Sequence, residues 1–97
     1  MDLEWDETKR QQALDERGLD FADVVRFDFE TANTSHDDRS DYGEIRFVSV
    51  GLLDGRLSVL CWTVRAEVLR VISLRKANER EQKAYSDYFR QSTSNGR

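Results

Sequence analysis

The amino-acid sequence predicts an α+β domain, with two helices near its start and one near its end packed on a curved antiparallel sheet. The predicted element order is β-α-α-β-β-β-β-α. Helix-forming residues are concentrated near both ends, whereas β-branched and aromatic residues are concentrated in the middle and interrupted by turn signals. A length of 97 residues fits one domain. We place this domain over residues 1–91 and expect residues 92–97 to form a flexible polar tail.

The chain is predicted to open with a strand and a helix. Leu3 and Trp5 lie on either side of a charged residue, an alternation that is typical of a short strand. Asp6 is a suitable N-cap, and residues 7–17 are rich in good helix formers. Gly18 can then adopt the left-handed conformation that commonly ends a helix.

A second helix and an acidic segment are predicted to follow. Asp20 can cap a short helix that runs through Phe27 and has apolar residues on one side. Phe27 and Phe29 then alternate with acids, which predicts a strand that fades near Asn33. Residues 34–41 hold no hydrophobic side chain, and we therefore expect them to form a loop.

A meander of three strands is predicted next. Asp54 and Gly55 form a dipeptide well suited to a two-residue hairpin, and a second turn is expected near Ala66 and Glu67. The strands are placed at residues 44–52, 57–64 and 68–74.

The last predicted element is a helix over residues 76–90. Its apolar residues recur at helical spacing among charged ones. We expect them to form one stripe that packs on the sheet: Ala77, Ala84, Tyr85, Tyr88 and Phe89.

Charge is unevenly distributed along the chain. The formal net charge is −4, but residues 1–44 hold 14 acidic and 5 basic residues, a net charge of −9, whereas residues 45–97 have a net charge of +5. An acidic total argues weakly against nucleic-acid binding. A basic half can nevertheless bind an anion locally, because charges act within a Debye length of about 8–10 Å. The alternative is that the two halves neutralise each other in the folded chain.

Several classes of protein are disfavoured. No apolar run approaches the roughly 18 residues that a membrane span requires, and the charged start lacks the apolar stretch of a signal peptide. The lone cysteine, Cys61, excludes an internal disulfide and a cysteine-based zinc site and suits a reducing cytosol. We therefore expect a cytoplasmic protein without membrane contact.

The sequence lacks the standard catalytic constellations. His36 lies beside acidic residues and could act as a general base, although the simpler interpretation is a solvent-exposed loop histidine. Cys61 alternates into an apolar strand and is expected to be a buried small hydrophobe. Glycine-rich phosphate loops are absent, and the loop acids do not follow a calcium-loop pattern. We therefore expect neither a cofactor nor a bound metal.

Basic residues are concentrated on the predicted meander: Arg46, Arg56, Arg65, Arg70, Arg75 and Lys76. Guanidinium groups can bind phosphate through two parallel hydrogen bonds. The simpler explanation is that charged side chains protect sheet edges and keep a thin domain soluble. In a nuclease without metal, such cations would stabilise the reacting phosphate. The titratable candidates for proton transfer would then be Glu44, Tyr85, Lys76 and His36.

A set of short motifs connects the chain with a known family. The motifs are Trp5-Asp6-x-x-Lys9, Gly18-Leu19-Asp20-Phe21, Gly43-Glu44-x-Arg46, Gly55-Arg56, Thr63-x-Arg65 and Val71-Ile72-Ser73-x-Arg75-Lys76-Ala77, followed by Glu81 and Tyr85. Together they resemble the BrnT family, the toxin component of type II BrnT–BrnA toxin–antitoxin systems in bacteria. The resemblance covers about residues 2 to 88.

The resemblance implies a RelE-like fold and a metal-independent ribonuclease that slows translation. It also implies a cognate antitoxin of the ribbon-helix-helix type, similar to BrnA, that neutralises the toxin. The complex would repress its own operon, so that operator DNA is reached only through the antitoxin. A dimeric antitoxin would favour a 2:2 assembly, since a dimer presents two equal sites.

Site residues follow from the resemblance by position. Those expected at the catalytic centre are Arg46, Arg65, Arg75, Lys76, Glu44 and Tyr85, although Glu44 and Tyr85 could instead be structural and pair with those arginines. Apart from these matches, we expect the basic residues Arg17, Arg56 and Arg70 to bind substrate. Family members commonly have Lys-His-Gly at the end of the first helix, where this chain has Glu16-Arg17-Gly18. Arginine cannot readily transfer a proton, because its pKa exceeds 12.

Two other functions are compatible with the residues. The chain could be a catalytically weakened homologue that acts mainly as an antitoxin-binding co-repressor module, an alternative suggested by Arg17 and the acidic total. It could also be a small interaction domain unrelated to RNA.

Overall fold

Five strands form one sheet in the computed structural model, which describes residues 2–39 and 41–95. The strands are β1 (Asp2–Trp5), β2 (Asn33–His36), β3 (Phe47–Leu53), β4 (Arg56–Arg65) and β5 (Val68–Lys76). The helices are α1 (Glu7–Arg17), a 3-10 helix (Phe21–Arg26) and α2 (Glu79–Asn95). The strand order in the sheet is β1-β5-β4-β3-β2. The α+β class is therefore confirmed.

The sheet is mixed, so the prediction of an antiparallel sheet is wrong for one strand. β1 runs parallel to β5, with Leu3 opposite Leu69 and Trp5 opposite Val71, whereas the other neighbouring strands are antiparallel. Alternation along a strand defines which residues share a face but not the direction of the strand. β4 occupies one edge of β5, and β1 pairs with the other edge. The direction of β1 is therefore set by its tertiary contacts with β5.

The predicted start of the chain is confirmed in detail. The Asp6 carboxylate accepts a hydrogen bond from the Lys9 amide at 3.0 Å, which caps α1. Gly18 has a φ of 67° and ends that helix. Asp20 caps the next helix by accepting from the Ala22 amide at 2.9 Å. That second helix is a 3-10 helix.

The region between the 3-10 helix and β3 differs from the prediction. Phe27 forms only an isolated bridge with Leu53, and the strand lies instead at Asn33–His36, with three of its four residues inside the segment expected to be a loop. All four residues of β2 are exposed. An edge strand is held by backbone hydrogen bonds to one neighbour and needs no apolar side chain, so a hydrophobic pattern cannot reveal it. β3 also begins at Phe47 rather than at residue 44.

The core lies between one face of the sheet and the first two helices. Its buried apolar residues are Ala13, Phe21, Val24, Phe27, Leu53, Leu60, Leu69, Val71 and Leu74. A row of aromatic rings continues from this core along the same face, with Trp62 stacked on Phe47 at 4.7 Å between centroids and Phe29 edge-on to Trp62 at 5.5 Å. The N-terminal elements therefore cover one face of the sheet. On the other face, Cys61 and Thr63 are buried beneath the segment before β3, and arginines lie around them.

α2 begins later than predicted and buries little. Residues 76 and 77 precede it, because β5 continues through Lys76. Asn78 and Glu81 cap the helix reciprocally, with hydrogen bonds of 2.8 and 2.9 Å between each side chain and the amide of the other. The predicted apolar stripe is largely exposed, since Tyr88 and Phe89 are 41% and 47% exposed. The expectation that this stripe packs on the sheet is therefore wrong for Tyr88 and Phe89, whereas Ala77 is buried and Tyr85 is half-buried.

The helix also enters the segment predicted to be a tail. Its backbone continues to Asn95, whereas residues 96 and 97 lie outside the described part of the chain. The flexibility of the tail and the extent of the domain stay predictions.

The turn between β4 and β5 suggests a stabilising change. Ala66 and Glu67 occupy the left-handed region, with φ of 50° and 67°. A side chain there costs about 1–2 kcal/mol per residue, and two-residue hairpins of this shape prefer Asn-Gly. We expect Ala66→Asn with Glu67→Gly to raise the midpoint of thermal unfolding by about 5 °C.

The β3–β4 hairpin provides the control for this measurement. Asp54 and Gly55 already have positive φ, and the position of a Cβ at Gly55 has no neighbour within 4 Å. Gly55→Ala should therefore lower the midpoint through backbone strain alone. A lower midpoint of thermal unfolding in the variant with Ala66→Asn and Glu67→Gly would contradict the prediction.

Candidate functional site

Arginines project from the sheet face that the first two helices do not cover. We call this surface the arginine face and define it by the residues that alternate with the core residues of β4 and β5, together with Arg46 just before β3. These are Val59, Cys61, Thr63 and Arg65 on β4 and Arg70, Ser73 and Arg75 on β5. A register shift at Cys61 and Trp62 keeps Ser73 and Arg75 on the same face as Arg70, although the spacing from Arg70 to Ser73 is odd.

One carboxylate aligns two arginines at one end of this face. Glu44 Oε1 accepts hydrogen bonds from Arg65 Nε at 3.0 Å and Nη2 at 2.6 Å, and Glu44 Oε2 accepts from Arg46 Nε at 3.1 Å. The Arg46 guanidinium also lies 4.0 Å from the centre of the Tyr42 ring. We call Glu44, Arg46 and Arg65 the Glu44 cluster. Its formal charge is +1.

The same contacts determine the protonation of Glu44. The guanidinium groups of Arg65 and, to a lesser degree, Arg46 hold the pKa of this carboxyl below its ordinary value. Glu44 is therefore ionised at neutral pH and is a poor proton donor. The arrangement suits a carboxylate that positions cations.

Arg75 lies at a second, separate place on the face. Its register partner Val59 is six residues from Arg65 along β4, which corresponds to about 20 Å. Arg75 donates to both oxygens of Glu81, at 2.8 and 2.7 Å. Lys76 follows Arg75 on the strand, so its side chain points to the opposite face. The structure thus does not bring Arg75 and Lys76 together with the Glu44 cluster.

The remaining predicted residues are dispersed. The Tyr85 hydroxyl donates to the Thr31 carbonyl at 3.0 Å and ties α2 to the segment before β2. Arg70 donates to Glu4 on the neighbouring strand at 2.7 Å, and Arg56 is exposed where β4 begins. None of these contacts involves the Glu44 cluster.

Arg17 lies at the edge of the sheet. It is the last residue of α1 and is exposed, and it lines a cavity of about 270 Å³ together with Ile72 and Ser73. Ser73 also belongs to the arginine face. Arg17 is therefore next to that face rather than on it.

The sequence interpretation missed three residues that organise the loop before β3. The Asp37 side chain is 2% exposed and accepts from Arg39 Nε at 2.8 Å, Arg39 Nη2 at 2.9 Å and the Tyr42 hydroxyl at 3.2 Å. The Arg39 guanidinium holds the pKa of Asp37 well below its usual range. The only sequence signal was an arginine two residues after an aspartate within an acidic segment, and that spacing does not reveal burial.

Cys61 and His36 occupy the surroundings of this loop. Cys61 is 6% exposed, as expected, and burial raises the pKa of its thiol. Its Sγ lies 3.9 Å from Asp37 Oδ2. His36 is exposed on β2, with its ring edge-on to Phe47 at 5.3 Å between centroids. Within residues 2–39 and 41–95, no group of three or more histidine, cysteine or acidic side chains is placed to hold a metal ion.

The Arg75–Glu81 pair predicts a dependence of stability on pH. Hydrogen bonding to Arg75 lowers the pKa of Glu81 to about 2 from 4.5. A carboxyl whose pKa is lowered by folding contributes stability above its unfolded value, and the contribution is lost as the pH falls through the folded value. We expect the urea midpoint to fall between about pH 4.5 and 2, and Glu81→Gln to make that fall shallower.

A second variant tests the cause of this dependence. Arg75→Gln removes the cation that lowers the pKa of Glu81 and should flatten the profile in the same window. Equal pH profiles for wild type and both variants would contradict the assignment.

The fold and the arginine face can be compared with known protein families. The chain is a small α+β domain with several guanidinium groups on one sheet face, and such groups can bind anions. A family model described as "Ribonuclease toxin, BrnT, of type II toxin-antitoxin system" matches residues 5–81. Because the match spans most of the chain, the protein belongs to the BrnT family of ribonuclease toxins, and the resemblance in its motifs is confirmed. Family membership also implies a cognate antitoxin.

The matched segment contains the Glu44 cluster and Arg75 but ends before Tyr85. No individually curated protein sequence matches the chain. Among the described residues, no helix is both long and apolar enough to cross a membrane.

Proposed function

We propose that this chain is a metal-independent endoribonuclease that cleaves RNA on the arginine face and thereby inhibits translation. The observation that carries the proposal is the Glu44 cluster, in which one carboxylate holds Arg46 and Arg65 side by side. Two fixed guanidinium groups can bind the non-bridging oxygens of one phosphodiester.

The chemistry of RNA cleavage fits such a pair of cations. The ribose 2′-oxygen loses its proton and forms a bond to phosphorus, while the bond to the 5′-oxygen breaks and that oxygen gains a proton. The products are a 2′,3′-cyclic phosphate and a 5′-hydroxyl. Negative charge accumulates on the phosphate oxygens in the pentacoordinate state, and preorganised cations stabilise it. Arg46 and Arg65 supply this stabilisation without a metal.

Glu44 acts in this proposal as a positioning residue. Its lowered pKa makes it a weak base and a poor acid near neutral pH, whereas its hydrogen bonds orient both arginines. Tyr85 has a structural role, because its hydroxyl is engaged with Thr31. Lys76 and Arg56 lie outside the reacting centre.

The partner in this proposal is a BrnA-like antitoxin of the ribbon-helix-helix type, and the toxin has a RelE-like arrangement of the α+β fold. A dimeric antitoxin would hold two toxins in a 2:2 complex. Operator DNA is then bound through the antitoxin alone. The site of action in this proposal is the cytoplasm, where RNA is translated.

Cleavage of RNA by the purified chain in excess EDTA tests the proposal. We expect cleaved products with 5′-hydroxyl and cyclic phosphate ends, and suppression of cleavage when the antitoxin encoded beside the toxin is added. Intact RNA after incubation with folded protein, together with normal growth of bacteria that express the chain alone, would overturn it.

Arg17 supports a second candidate, a weakened toxin that acts mainly as a co-repressor with its antitoxin. Arg17 is exposed at the end of α1 and cannot donate or accept a proton readily. Comparison of Arg17→His with the native chain separates the two candidates. Efficient RNA cleavage by the native chain excludes the weakened toxin, whereas cleavage only after Arg17→His would support it.

A further inference from the structure

A second cavity on the arginine face adjoins the cavity that Glu44 and Arg46 line, with which it shares His36, Asp37 and Asp38. It has a volume of about 340 Å³ and opens between the segment that follows β2 and the end of β5. The charged and titratable residues of its lining are the cations Arg39 and Arg75, the acids Asp37 and Asp38, and His36 and Cys61. Asp37 is paired with Arg39, which leaves Asp38 as the second acid. Glu44, Arg46 and Arg65 do not line it.

Two guanidinium groups are held on the walls of this cavity. Asp37 fixes Arg39 through Nε and Nη2, and Glu81 fixes Arg75 through Nη1 and Nη2. Among residues 2–39 and 41–95, nothing accepts a hydrogen bond from Arg39 Nη1 or Arg75 Nε. Within the described residues, each arginine is therefore oriented by an acid on one edge and keeps a donor on another.

The two cations are close enough to repel each other. Glu81 raises the pKa of Arg75, whereas the positive charge of Arg39 opposes that increase. Like charges that face one cavity are unfavourable in the free protein, and an anion between them relieves the repulsion. The hydroxyls of Ser35 and Ser73 on the same walls are further donors for anion oxygens.

We propose that this cavity is a phosphate subsite of the RNA-binding surface, in which Arg39 and Arg75 bind a backbone phosphodiester from two sides. The inference rests on the proposed function and extends it, because it assigns a second phosphate of the same RNA strand. It also assigns a role to Arg39, which has 77% of its side chain exposed although its carboxylate partner is buried.

Asp38 gives the proposal a distinctive signature. Its carboxylate lines the cavity and opposes an anion. A phosphate subsite therefore predicts opposite effects for two neighbouring residues, since loss of Arg39 charge weakens binding and loss of Asp38 charge strengthens it. A merely structural role for Arg39 would not produce this pair of effects.

Binding of a 2′-O-methyl RNA dodecamer, which cannot be cleaved through the 2′-oxygen, tests the subsite. We expect Arg39→Gln to raise the Kd by about 10-fold and to lower the slope of log K against log salt by about 0.7, as expected for one single-strand phosphate contact. Glutamine retains a donor for Asp37 and so limits loss of stability, which thermal unfolding monitors. Asp38→Asn should lower the Kd about 3-fold. Arg90→Ala, which removes one exposed charge on α2, is the matched control.

The outcomes separate the subsite from the proposed function. If the wild-type chain cleaves RNA but Arg39→Gln and Arg90→Ala bind the dodecamer with equal Kd values, the proposed subsite is wrong. The proposed function is then not contradicted. Binding that depends on Arg39 without cleavage would retain the subsite and overturn the function. Displacement of the dodecamer by submillimolar inorganic phosphate in the wild type but not in Arg39→Gln would support the subsite. Binding of inorganic phosphate without any binding of the dodecamer would overturn it.

Discussion

Replacement of Arg46 and Arg65 together by alanine is expected to lower RNA cleavage by at least about 100-fold. Removal of one preorganised donor to a developing oxyanion commonly costs 10²–10³ in rate. The double variant removes two, and it leaves Glu44 as an uncompensated carboxylate facing the substrate. Initial rates on one RNA substrate, measured under single-turnover conditions with EDTA, give this loss directly.

Two control variants separate catalysis from net charge. Arg80→Ala with Arg90→Ala removes the same charge from exposed positions of α2 and should leave the rate within about 3-fold of wild type. Adding Glu44→Gln to the Arg46 and Arg65 pair removes the repelling carboxylate, and we expect activity to stay low. Full recovery in this triple variant would show that repulsion by Glu44, rather than loss of the guanidinium groups, had caused the effect.

Gly51→Ala is expected to lower the free energy of unfolding by about 2 kcal/mol or more and the thermal midpoint by about 10 °C. A Cβ at this position in β3 would lie 2.8 Å from Ala32 Cβ and 2.9 Å from Phe27 Cζ. The Phe27 ring is 6% exposed and is held in the core, so it cannot move without disturbing its neighbours. Urea and thermal unfolding of the purified variant check this value.

A second substitution tests the cause of the loss. Ala32→Gly removes the nearest atom, and the double variant with Gly51→Ala should recover part of the stability. A loss in the double variant equal to the sum of the two single losses would show that the contact with Ala32 does not contribute. A stable Gly51→Ala single variant would contradict the packing assignment itself.

The ion pairs explain how an acidic chain can present an arginine face. Four carboxylates lie against five arginines: Asp37 pairs with Arg39, Glu44 with Arg46 and Arg65, Glu4 with Arg70 and Glu81 with Arg75. Both interpretations of the charge distribution therefore apply in part. Glu44 and Glu4 neutralise arginines of the basic half, whereas the Asp37–Arg39 and Glu81–Arg75 pairs each lie within one half, and all of these arginines remain oriented. RNA must compete with these carboxylates for the guanidinium groups.

The sequence alone was sufficient to predict features that depend on interactions between residues close together in the chain. The Asp6 and Asp20 caps, the Gly18 helix end and the Asp54-Gly55 hairpin depend on residues a few positions apart. The family motifs also lie within short segments. These features were predicted because their energies depend on near neighbours.

Long-range packing decided the rest. β2 carries no apolar side chain, and its hydrogen bonds are provided by β3 across the sheet. The parallel direction of β1 depends on the free edge of β5, more than 60 residues later in the chain. The exposed stripe of α2 shows that helical periodicity does not determine which surface a helix covers.

The candidate site likewise has features that the sequence predicted and features that only the tertiary structure determined. The sequence determined that this chain belongs to the BrnT family of toxins. It also identified Arg46, Arg65 and Arg75 as candidate site residues. Only the tertiary structure decided that Arg65 and Arg75 lie at separate places, that Glu44 joins two of the arginines and that Arg39 faces Arg75 across a cavity. The physical reason is that strand register and ion pairing bring together residues far apart in sequence, whereas periodicity and motifs report only local spacing.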